Sequence, residues 1–442
     1  MSPGVQTVYG IKYCARVHER KVRVNVTRGA ALKRPLIWIV VALAVIVLGG
    51  CSSGDRDGEI PPVVSPTPAP VAWQRPQAPI GQEAFANVRV TGLMRFHQQT
   101  VNAIAVSANG TRLASVGADD MTVVWNLANG QTLFTQGDTD GRSVYFGPDD
   151  ETLITISRDG VVRVWAMDLA PPRQLEELAV FTGPEAGAGY VTQSPDRSLL
   201  AFGSRDSGVI RLWRVPEGIL LDSIPAHNET VQHLAFSADG ARLVSVSIDG
   251  GVKVWAVASR ELAHDLTLEG RLPLRAAFSA DGSRLAVAYQ SGVQLWDLAS
   301  GDDVLFIEAA EYAAANALAF SPDGALLAGC GSQAIIGVWD AASGELLGGL
   351  PLPGQVCATL AFSPDGLLLL TLPQPGRDLY LWDITHITDD VPAEEKELRR
   401  RNRDNMGIFP GARFYDAVWS EDGRFIFALD ELGPIYVISA AG

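Results

Sequence analysis

The sequence predicts an all-β fold, an eight-bladed β-propeller of four-stranded antiparallel blades closed by an N-terminal strand, with seven blades as the alternative count. Three observations predict it. One pattern recurs about every 40 to 50 residues, a period typical of propeller arrays. Each copy holds a tight turn between two β-type runs. Seven of the ten tryptophans occupy one position of the pattern.

Each copy places a turn of the type Ser-x-Asp-Gly after its first strand and a tryptophan at the end of its third. The fourth copy, residues 237–255, is the clearest example. The eight turns begin at Ser107, Gly147, Ser194, Ser237, Ser279, Ser321, Ser363 and Ser420. The third strands end 17 to 19 residues later, at Trp125, Trp165, Trp213, Trp255, Trp296, Trp339, Trp382 and Ile438. A fourth strand follows the tryptophan and completes a blade.

The two ends of the repeat array predict how the ring closes. The last copy stops at Gly442, which leaves no room for a fourth strand after Ile438. The strand-like segment Ala84–Arg95 precedes the first copy and belongs to no unit of its own. We therefore expect this segment to supply the missing outer strand of the eighth blade. Ile438 in place of tryptophan keeps seven blades open as the alternative.

The N-terminal region reads as a targeting segment. Residues 1–50 combine a basic flank with the apolar run Leu36–Leu48, the pattern of a signal peptide. A helix of that length is roughly 20 Å long, shorter than a hydrocarbon core of about 30 Å. The letters Leu-Gly-Gly-Cys ending at Cys51 resemble the lipobox of bacterial lipoproteins, which implies that Cys51 is lipidated. An uncleaved single-pass N-terminal membrane anchor is the alternative.

Three segments follow from this interpretation: a signal peptide (1–50), a lipidated cysteine with a proline-rich linker (51–83), and the propeller (84–442). Proline-rich sequence stays extended and suits a spacer between a membrane and a domain. The basic flank predicts that the repeats lie outside the cytoplasm in either case. The expected location is the bacterial cell envelope, on a membrane-anchored lipoprotein.

Charge and cysteine content limit the partners. Residues 1–50 hold eight of the 35 basic residues and one of the 50 acidic ones, so 27 and 49 remain, a net charge of −22. Phosphate backbones repel such a domain, and we expect no nucleic-acid binding. Cys330 and Cys357 fall in β-runs of neighbouring copies. Two buried free thiols are favoured there, with a disulfide as the alternative in an oxidising compartment.

The repeats resemble the WD40-repeat β-propeller family across about residues 84–442. The tryptophan is followed by aspartate at Trp296-Asp297, Trp339-Asp340 and Trp382-Asp383. The family often joins a histidine, a serine or threonine, an aspartate and the tryptophan in one hydrogen-bonded set. The resemblance implies that the fourth copy forms this structural tetrad from His227, Ser245 or Ser247, Asp249 and Trp255, and Ser247 is the predicted member. His97, Asp119 and Trp125 match part of the set in the first copy.

No motif in the sequence predicts catalysis or a cofactor. None of the six histidines has a paired metal-ligand spacing. His233 lies in an inner strand, where packing between strands is favoured over a role in the axial channel. Asp138 and Asp140 sit in a stretch similar to a calcium loop, but the terminal bidentate acid is missing, which favours a solvated turn. We predict no catalytic residue, no metal and no cofactor.

One insertion departs from the repeat spacing. The interval from the tryptophan to the next turn is 24 residues after Trp339 but 38 after Trp382. Within the extra stretch, residues 392–404 are predicted to form a short helix with acids first and bases last. Its basic cluster consists of Arg399, Arg400, Arg401 and Arg403. It is either a solvated surface helix or a docking element for an acidic partner.

The sequence thus predicts a non-catalytic, monomeric protein-interaction platform. A lipidated Cys51 would anchor it to the envelope, and other envelope proteins would be its partners. The alternative is an envelope enzyme or a small-ligand sensor that uses the axial channel.

Overall fold

The fold is a closed ring of eight four-stranded antiparallel sheets. The computed structural model describes residues 88–137, 139–168, 174–182, 190–308, 317–330, 335–352, 356–374, 378–387, 406–409 and 413–440. Within them, 32 strands form eight separate four-stranded sheets. The prediction of eight blades is confirmed, and the alternative of seven is wrong.

The first four blades each run through four consecutive strands. Blade 1 consists of β2 (Val101–Val106), β3 (Arg112–Gly117), β4 (Thr122–Asn126) and β5 (Thr132–Gln136). Blade 2 consists of β6 (Gly141–Phe146), β7 (Thr152–Ser157), β8 (Val161–Asp168) and β9 (Gln174–Thr182). Blade 3 consists of β10 (Tyr190–Gln193), β11 (Leu199–Gly203), β12 (Val209–Arg214) and β13 (Ile219–Pro225). Blade 4 consists of β14 (Val231–Phe236), β15 (Arg242–Ser247), β16 (Val252–Ala256) and β17 (Leu262–Asp265).

The last four blades follow the same order except at the closure. Blade 5 consists of β18 (Pro273–Phe278), β19 (Arg284–Tyr289), β20 (Gly292–Asp297) and β21 (Asp303–Glu308). Blade 6 consists of β22 (Ala317–Phe320), β23 (Leu326–Cys330), β24 (Ile335–Asp340) and β25 (Leu346–Pro351). Blade 7 consists of β26 (Val356–Phe362), β27 (Leu368–Gln374), β28 (Leu379–Asp383) and β29 (Met406–Phe409). Blade 8 consists of β30 (Phe414–Trp419), β31 (Ile426–Asp430), β32 (Ile435–Ala440) and the N-terminal strand β1 (Val88–Met94).

The N-terminal strand closes the ring, as the sequence predicts. β1 pairs antiparallel with β32, from Val88 opposite Ala440 to Met94 opposite Ile435. Met94 is 2% exposed and packs in the core shared by blades 8 and 1. Because β1 satisfies the backbone groups of β32, the C-terminal strand is not left as an open sheet edge.

The recurring turn is held by its serine and aspartate. In blade 4, the Ser237 hydroxyl donates to Asp239 Oδ1 at 2.6 Å and accepts from the backbone N–H of Arg242 at 2.9 Å. Gly240 adopts a φ of 70°, a left-handed conformation that glycine reaches without a Cβ clash. Its N–H donates to the Ser237 carbonyl at 2.9 Å. The Ser-x-Asp-Gly letters therefore specify the turn locally.

The hydrophobic core lies between neighbouring blades. One cluster joins Val246 and Val254 of blade 4 to Val287 and Trp296 of blade 5. The seven repeated tryptophans all pack in or against such clusters, and Trp296 is 7% exposed. Burying each such apolar side chain contributes about 1.5–3 kcal/mol. A blade therefore depends on its neighbours for stability.

A disulfide joins Cys330 of blade 6 to Cys357 of blade 7, with their Cα atoms 5.8 Å apart. The prediction of two free thiols is wrong. Cys330 ends the second strand of its blade, and Cys357 lies near the start of the first strand of the next. Because these strands pack face to face across the interface between blades, residues 27 apart in sequence meet in space.

The insertion lies inside blade 7, between its third and fourth strands. A 3-10 helix at Thr385–Ile387 follows β28, and β29 begins at Met406. The predicted helix at 392–404 and its four arginines, Arg399, Arg400, Arg401 and Arg403, lie outside the described residues. So do Cys51, the signal segment and the linker. In the described part of the chain, no helix is long and apolar enough to span a membrane.

Candidate functional site

The hydrogen-bonded set of blade 4 uses Ser245 rather than Ser247. Trp255 Nε1 donates to Ser245 Oγ at 2.9 Å, and His227 Nε2 lies 2.7 Å from the same oxygen. His227 Nδ1 lies 3.4 Å from Asp249 Oδ1. Ser247 lies outside the set and bonds the backbone of Asp249 and Glu229. The choice of Ser247 was wrong because Ser245 and Ser247 point to the same face of the strand and only the register separates them. Leu243 pairs with Trp255 and Ser245 with Lys253, so Ser245 is the nearer of the two serines to the Trp255 ring.

Blade 1 forms the same set with a member that the sequence comparison missed. His97 Nδ1 lies 2.9 Å from Asp119 Oδ1, and its Nε2 lies 2.8 Å from Ser115 Oγ. Trp125 Nε1 donates to Ser115 Oγ at 3.0 Å. A carboxylate only accepts, so Nδ1 carries the proton and Nε2 accepts from the serine. Ser115 stands ten residues before its tryptophan, as Ser245 does, and this spacing was the available signal.

A reduced form of the set recurs in two further blades. Trp165 Nε1 donates to Thr155 Oγ1 at 2.9 Å, and Trp382 Nε1 donates to Thr371 Oγ1 at 2.9 Å. The other four blades carry no hydroxyl at this register position, which holds Phe202, Val287, Gly329 and Ala428. Four blades thus bond the tryptophan through a hydroxyl at this position, and the other four carry an apolar residue or glycine there.

These sets are buried, which assigns them to the fold. Ser115 and Ser245 are fully buried, and His97 and His227 are each 7% exposed. Burial lowers the pKa of His227, while Asp249 acts in the opposite direction. Neither histidine faces an open site where it could act on a substrate. Among the described residues, no group of three or more His, Cys, Asp or Glu side chains could hold a metal ion.

His233 joins three neighbouring blades near the axial channel. Its Nε2 lies 2.8 Å from the Ala276 carbonyl of blade 5, so this nitrogen carries the proton. Its ring lies 5.1 Å from the ring of Tyr190 in blade 3. The Arg275 guanidinium lies 5.7 Å over the Tyr190 ring. Burial lowers the pKa of His233 to about 4, which keeps the imidazole neutral at pH 7. His233 is a packed strand residue in this arrangement.

The loop that resembles a calcium site is only partly described. Asp140 lies 3.7 Å from the Arg158 guanidinium, and both side chains are exposed. Asp138 lies outside the described residues. An exposed pair of this kind contributes about 0–1 kcal/mol. The Asp140–Arg158 ion pair is therefore a surface contact that adds little stability.

A cavity of about 360 Å³ lies at the turn end of the channel, beside blades 1, 2, 3 and 8. Arg197 stands at its edge. The guanidinium lies 3.0 Å from Asp150 Oδ1 and 2.7 Å from Glu421 Oε1. Asp150 also accepts from the backbone N–H groups of Ala108 and Asn109 at 2.7 and 2.9 Å. This network connects four blades of the ring and borders the cavity.

Four segments match the family model for the WD domain, G-beta repeat: residues 89–126, 130–166, 218–256 and 309–340. They include the blade 1 and blade 4 sets. The comparison supports the WD40 propeller family.

Curated relatives carry the same repeats over part of their length. Periodic tryptophan protein 2 of Arabidopsis thaliana is 27% identical over 342 residues, which cover 72% of this chain and 36% of that WD40 protein. The ribosome biogenesis protein WDR12 homolog of Trichoplax adhaerens is 28% identical over 190 residues, covering 36% of this chain and 42% of the relative. The chain thus spans about a third to two fifths of these relatives.

Solved WD40-type propellers share the fold. Saccharomyces cerevisiae Sqt1 superposes with a TM-score of 0.65 at 14% identity, covering 80% of this chain and 100% of Sqt1. Chaetomium thermophilum Sqt1, solved bound to the N-terminus of the ribosomal protein L10, has a TM-score of 0.63 at 19% identity, covering 79% and 99%. In that neighbour the propeller binds another protein.

Proposed function

We propose that this protein is a non-catalytic interaction platform that binds other proteins on the ends of its propeller. The observation that carries the proposal is a closed ring in which the histidine–serine–tryptophan sets of blades 1 and 4 are buried inside their blades and serve the packing of the fold. Their side chains are buried, so they are not available to a substrate or a partner. The WD40 matches and the protein-bound neighbour support the same interpretation.

The second part of the proposal is anchoring to the bacterial envelope through a lipidated Cys51. The lipobox resemblance supports it, and the Cys330–Cys357 disulfide supports the same compartment. Disulfides persist in oxidising environments such as the periplasm and are rare in a reducing cytosol. A proline-rich linker would then hold the acidic propeller away from anionic lipid head groups. The partners would be other envelope proteins.

The platform is tested by crosslinked affinity purification of the full-length protein from its own membranes. A matched sample lacks residues 389–404, which removes the basic cluster of Arg399, Arg400, Arg401 and Arg403 but retains strand β29. A stoichiometric partner supports the platform. Loss of that partner with the deletion places the contact on the insertion, and its retention excludes the insertion. The absence of any stoichiometric protein in both samples contradicts the platform.

The anchor is tested separately with Cys51→Ser in the full-length chain. We expect the wild-type protein to incorporate labelled fatty acid and to sediment with membranes. The variant should incorporate none and accumulate as a precursor. Equal labelling of both proteins would refute lipidation at Cys51, while membrane retention without label would favour the single-pass anchor.

A further inference from the structure

Departures from the repeat pattern converge at one end of the channel. The last residue of the first strand is aromatic in six blades: Phe146, Phe236, Phe278, Phe320, Phe362 and Trp419. Blades 1 and 3 instead carry Val106 and Gln193. Both of these residues line the 360 Å³ cavity. At these two positions of the cavity wall, the aromatic side chain that the other blades carry is missing.

The turns beside the cavity depart from the pattern as well. The fourth turn position is a left-handed glycine in six blades, but Asp150 (φ 57°) and Arg197 (φ 62°) occupy it in blades 2 and 3. A side chain in this conformation costs of order 1 kcal/mol or more. The second turn position is alanine or proline in seven blades, and only blade 8 carries a charge there, at Glu421. These three residues form the ion-pair network at the edge of the cavity.

Repeats that change independently would scatter such departures around the ring. Here Val106, Gln193, Asp150, Arg197 and Glu421 come from four blades and meet at one place. Local folding does not require them, because other blades form the same strand and turn without them. Their convergence therefore marks a binding site built on the repeat scaffold.

The charges at this site favour a cationic occupant. Asp150 and Glu421 both contact Arg197. The Arg112 guanidinium donates to the Asp150 carbonyl at 2.6 Å, so two acids and two bases balance here and Glu421 is the exposed acid. The Arg197 and Asp150 side chains are 12% and 9% exposed, whereas Glu421 is 68% exposed and turns an oxygen toward solvent. The third turn position is aspartate in seven of the eight blades. This end of the ring therefore attracts positive charge and repels carboxylates.

The cavity walls specify the rest of the occupant. Val106, Phe146, Val191 and Pro195 form an apolar lining next to the polar edge. A lysine or arginine side chain has this character, because its aliphatic stem buries against apolar surface while its charged head stays near carboxylates and water. A free inorganic cation would leave the apolar wall unused, and an apolar ligand would leave Glu421 unused.

We propose that the cavity at the turn end of the channel receives a basic side chain of a partner protein, with Glu421 binding its charged head. This inference rests on the proposed platform function and names the contact surface and the chemistry of the partner. It places the contact on the turn end of blades 1, 2, 3 and 8, away from the insertion of blade 7.

The test measures anisotropy of fluorescent hexapeptides with the full-length protein at low salt. One peptide carries a single arginine among glycines and serines, and its two counterparts carry citrulline or glutamate. We expect saturable binding of the arginine peptide, about tenfold weaker binding of the citrulline peptide, and none of the glutamate peptide. Because salt screens charges, the affinity for the arginine peptide should fall as the salt concentration rises.

Two variants address the site. Val106→Phe fills the cavity with the aromatic side chain that six blades already carry at this position, and we expect about tenfold weaker binding. Glu421→Gln changes an exposed residue that the fold does not need and should weaken binding about fivefold. Glu229→Gln removes an exposed acid at the opposite end of the ring and is the matched control; its affinity should equal that of the wild type.

The proposal is overturned if the arginine peptide does not bind, if citrulline binds equally well, or if Glu421→Gln and Glu229→Gln behave alike. The Glu421 variant keeps the test valid should Val106→Phe fail to fold. Purification with the Val106→Phe, Glu421→Gln double variant separates the two proposals. A partner retained by that variant refutes the cavity contact and leaves the platform intact, whereas absence of any partner from the wild type refutes the platform.

Discussion

Ser245 Oγ lies 2.9 Å from Trp255 Nε1 and 2.7 Å from His227 Nε2, so one hydroxyl satisfies two buried ring nitrogens. All three side chains lie within the blade, and Ser245 is fully buried. The Ser245 hydroxyl therefore contributes more to the stability of blade 4 than the hydroxyl of a typical serine in a strand. Ser247 is equally buried but bonds only the backbone nearby.

The pair of serines gives a matched test of this network. Ser245→Ala leaves both ring nitrogens without a partner, and each unpaired buried group costs about 1–3 kcal/mol. We expect Ser245→Ala to lower the free energy of unfolding by at least about 2 kcal/mol and Ser247→Ala by about 1 kcal/mol or less. Urea unfolding followed by tryptophan fluorescence measures both. Equal losses would contradict the assignment of Ser245 to the network.

The Cys330–Cys357 disulfide predicts a redox-dependent stability. A crosslink that closes a loop of this length stabilises by roughly 3 kcal/mol through the unfolded state. We expect reductant to lower the urea midpoint of the wild type but not that of Cys330→Ala, Cys357→Ala. Peptide mapping without reductant should find the two cysteines in one linked fragment. Recovery of both as alkylated free thiols from the protein kept without reductant would contradict the bond.

The repeat pattern could be predicted from the sequence because the residues that form each turn and strand lie close together along the chain. Ser237, Asp239 and Gly240 close their own turn, and Trp255 follows at a fixed distance, so the blades and their number were predictable. The choice between Ser245 and Ser247 needed the strand register, which the sequence left open by two residues. Pairing of Leu243 with Trp255 settles that register in the structure.

Contacts between blades were not readable in this way. Arg197 and Glu421 are 224 residues apart, and nothing in either turn predicts that the two meet. Cys330 and Cys357 were both visible as strand residues, but their pairing depends on which faces of blades 6 and 7 pack together. Such contacts depend on the geometry of the closed ring, whereas a repeat pattern describes one unit at a time.

Closure by the N-terminal strand predicts a sharp boundary for truncation. A chain beginning at residue 84 retains β1, whereas one beginning at residue 96 loses it and the buried Met94. Loss of the Met94 core contact alone costs about 2–5 kcal/mol. The uncovered edge of β32 would also pair with other chains. We expect the shorter chain to unfold at lower urea and to form oligomers in size-exclusion chromatography. Identical midpoints and monomeric elution of both would show that β1 is dispensable.

His233 predicts how stability depends on pH. Burial lowers the pKa of His233 to about 4, whereas an unfolded histidine titrates near 6.5. Between these values the unfolded chain binds a proton that the folded chain does not, so stability is full above pH ~6.5 and falls as the pH drops toward 4. The loss approaches about 1.4 kcal/mol per pH unit and totals about 3 kcal/mol.

Other groups change this slope in known directions. Burial also lowers the pKa of His227, which adds a loss of the same sign. The hydrogen bond from Ser279 lowers the pKa of Asp281 to about 2, so its contribution is lost only below the pH at which an unfolded aspartate protonates. Burial raises the pKa of Asp416, which acts in the opposite direction as the pH falls, so the contribution of His233 is isolated by comparing a variant with the wild type.

The substitution His233→Gln tests this dependence, since glutamine retains a donor for the Ala276 carbonyl but cannot titrate. We expect its unfolding free energy, from urea melts at several pH values, to fall less steeply than that of the wild type between pH 6.5 and 4.5. The difference between the two slopes should approach the value expected when unfolding binds one proton. His264→Gln is the control, because His264 bonds a backbone carbonyl in the same manner, that of Leu298, from an outer strand. If His233→Gln keeps the slope of the wild type, the imidazole is not held neutral by the fold.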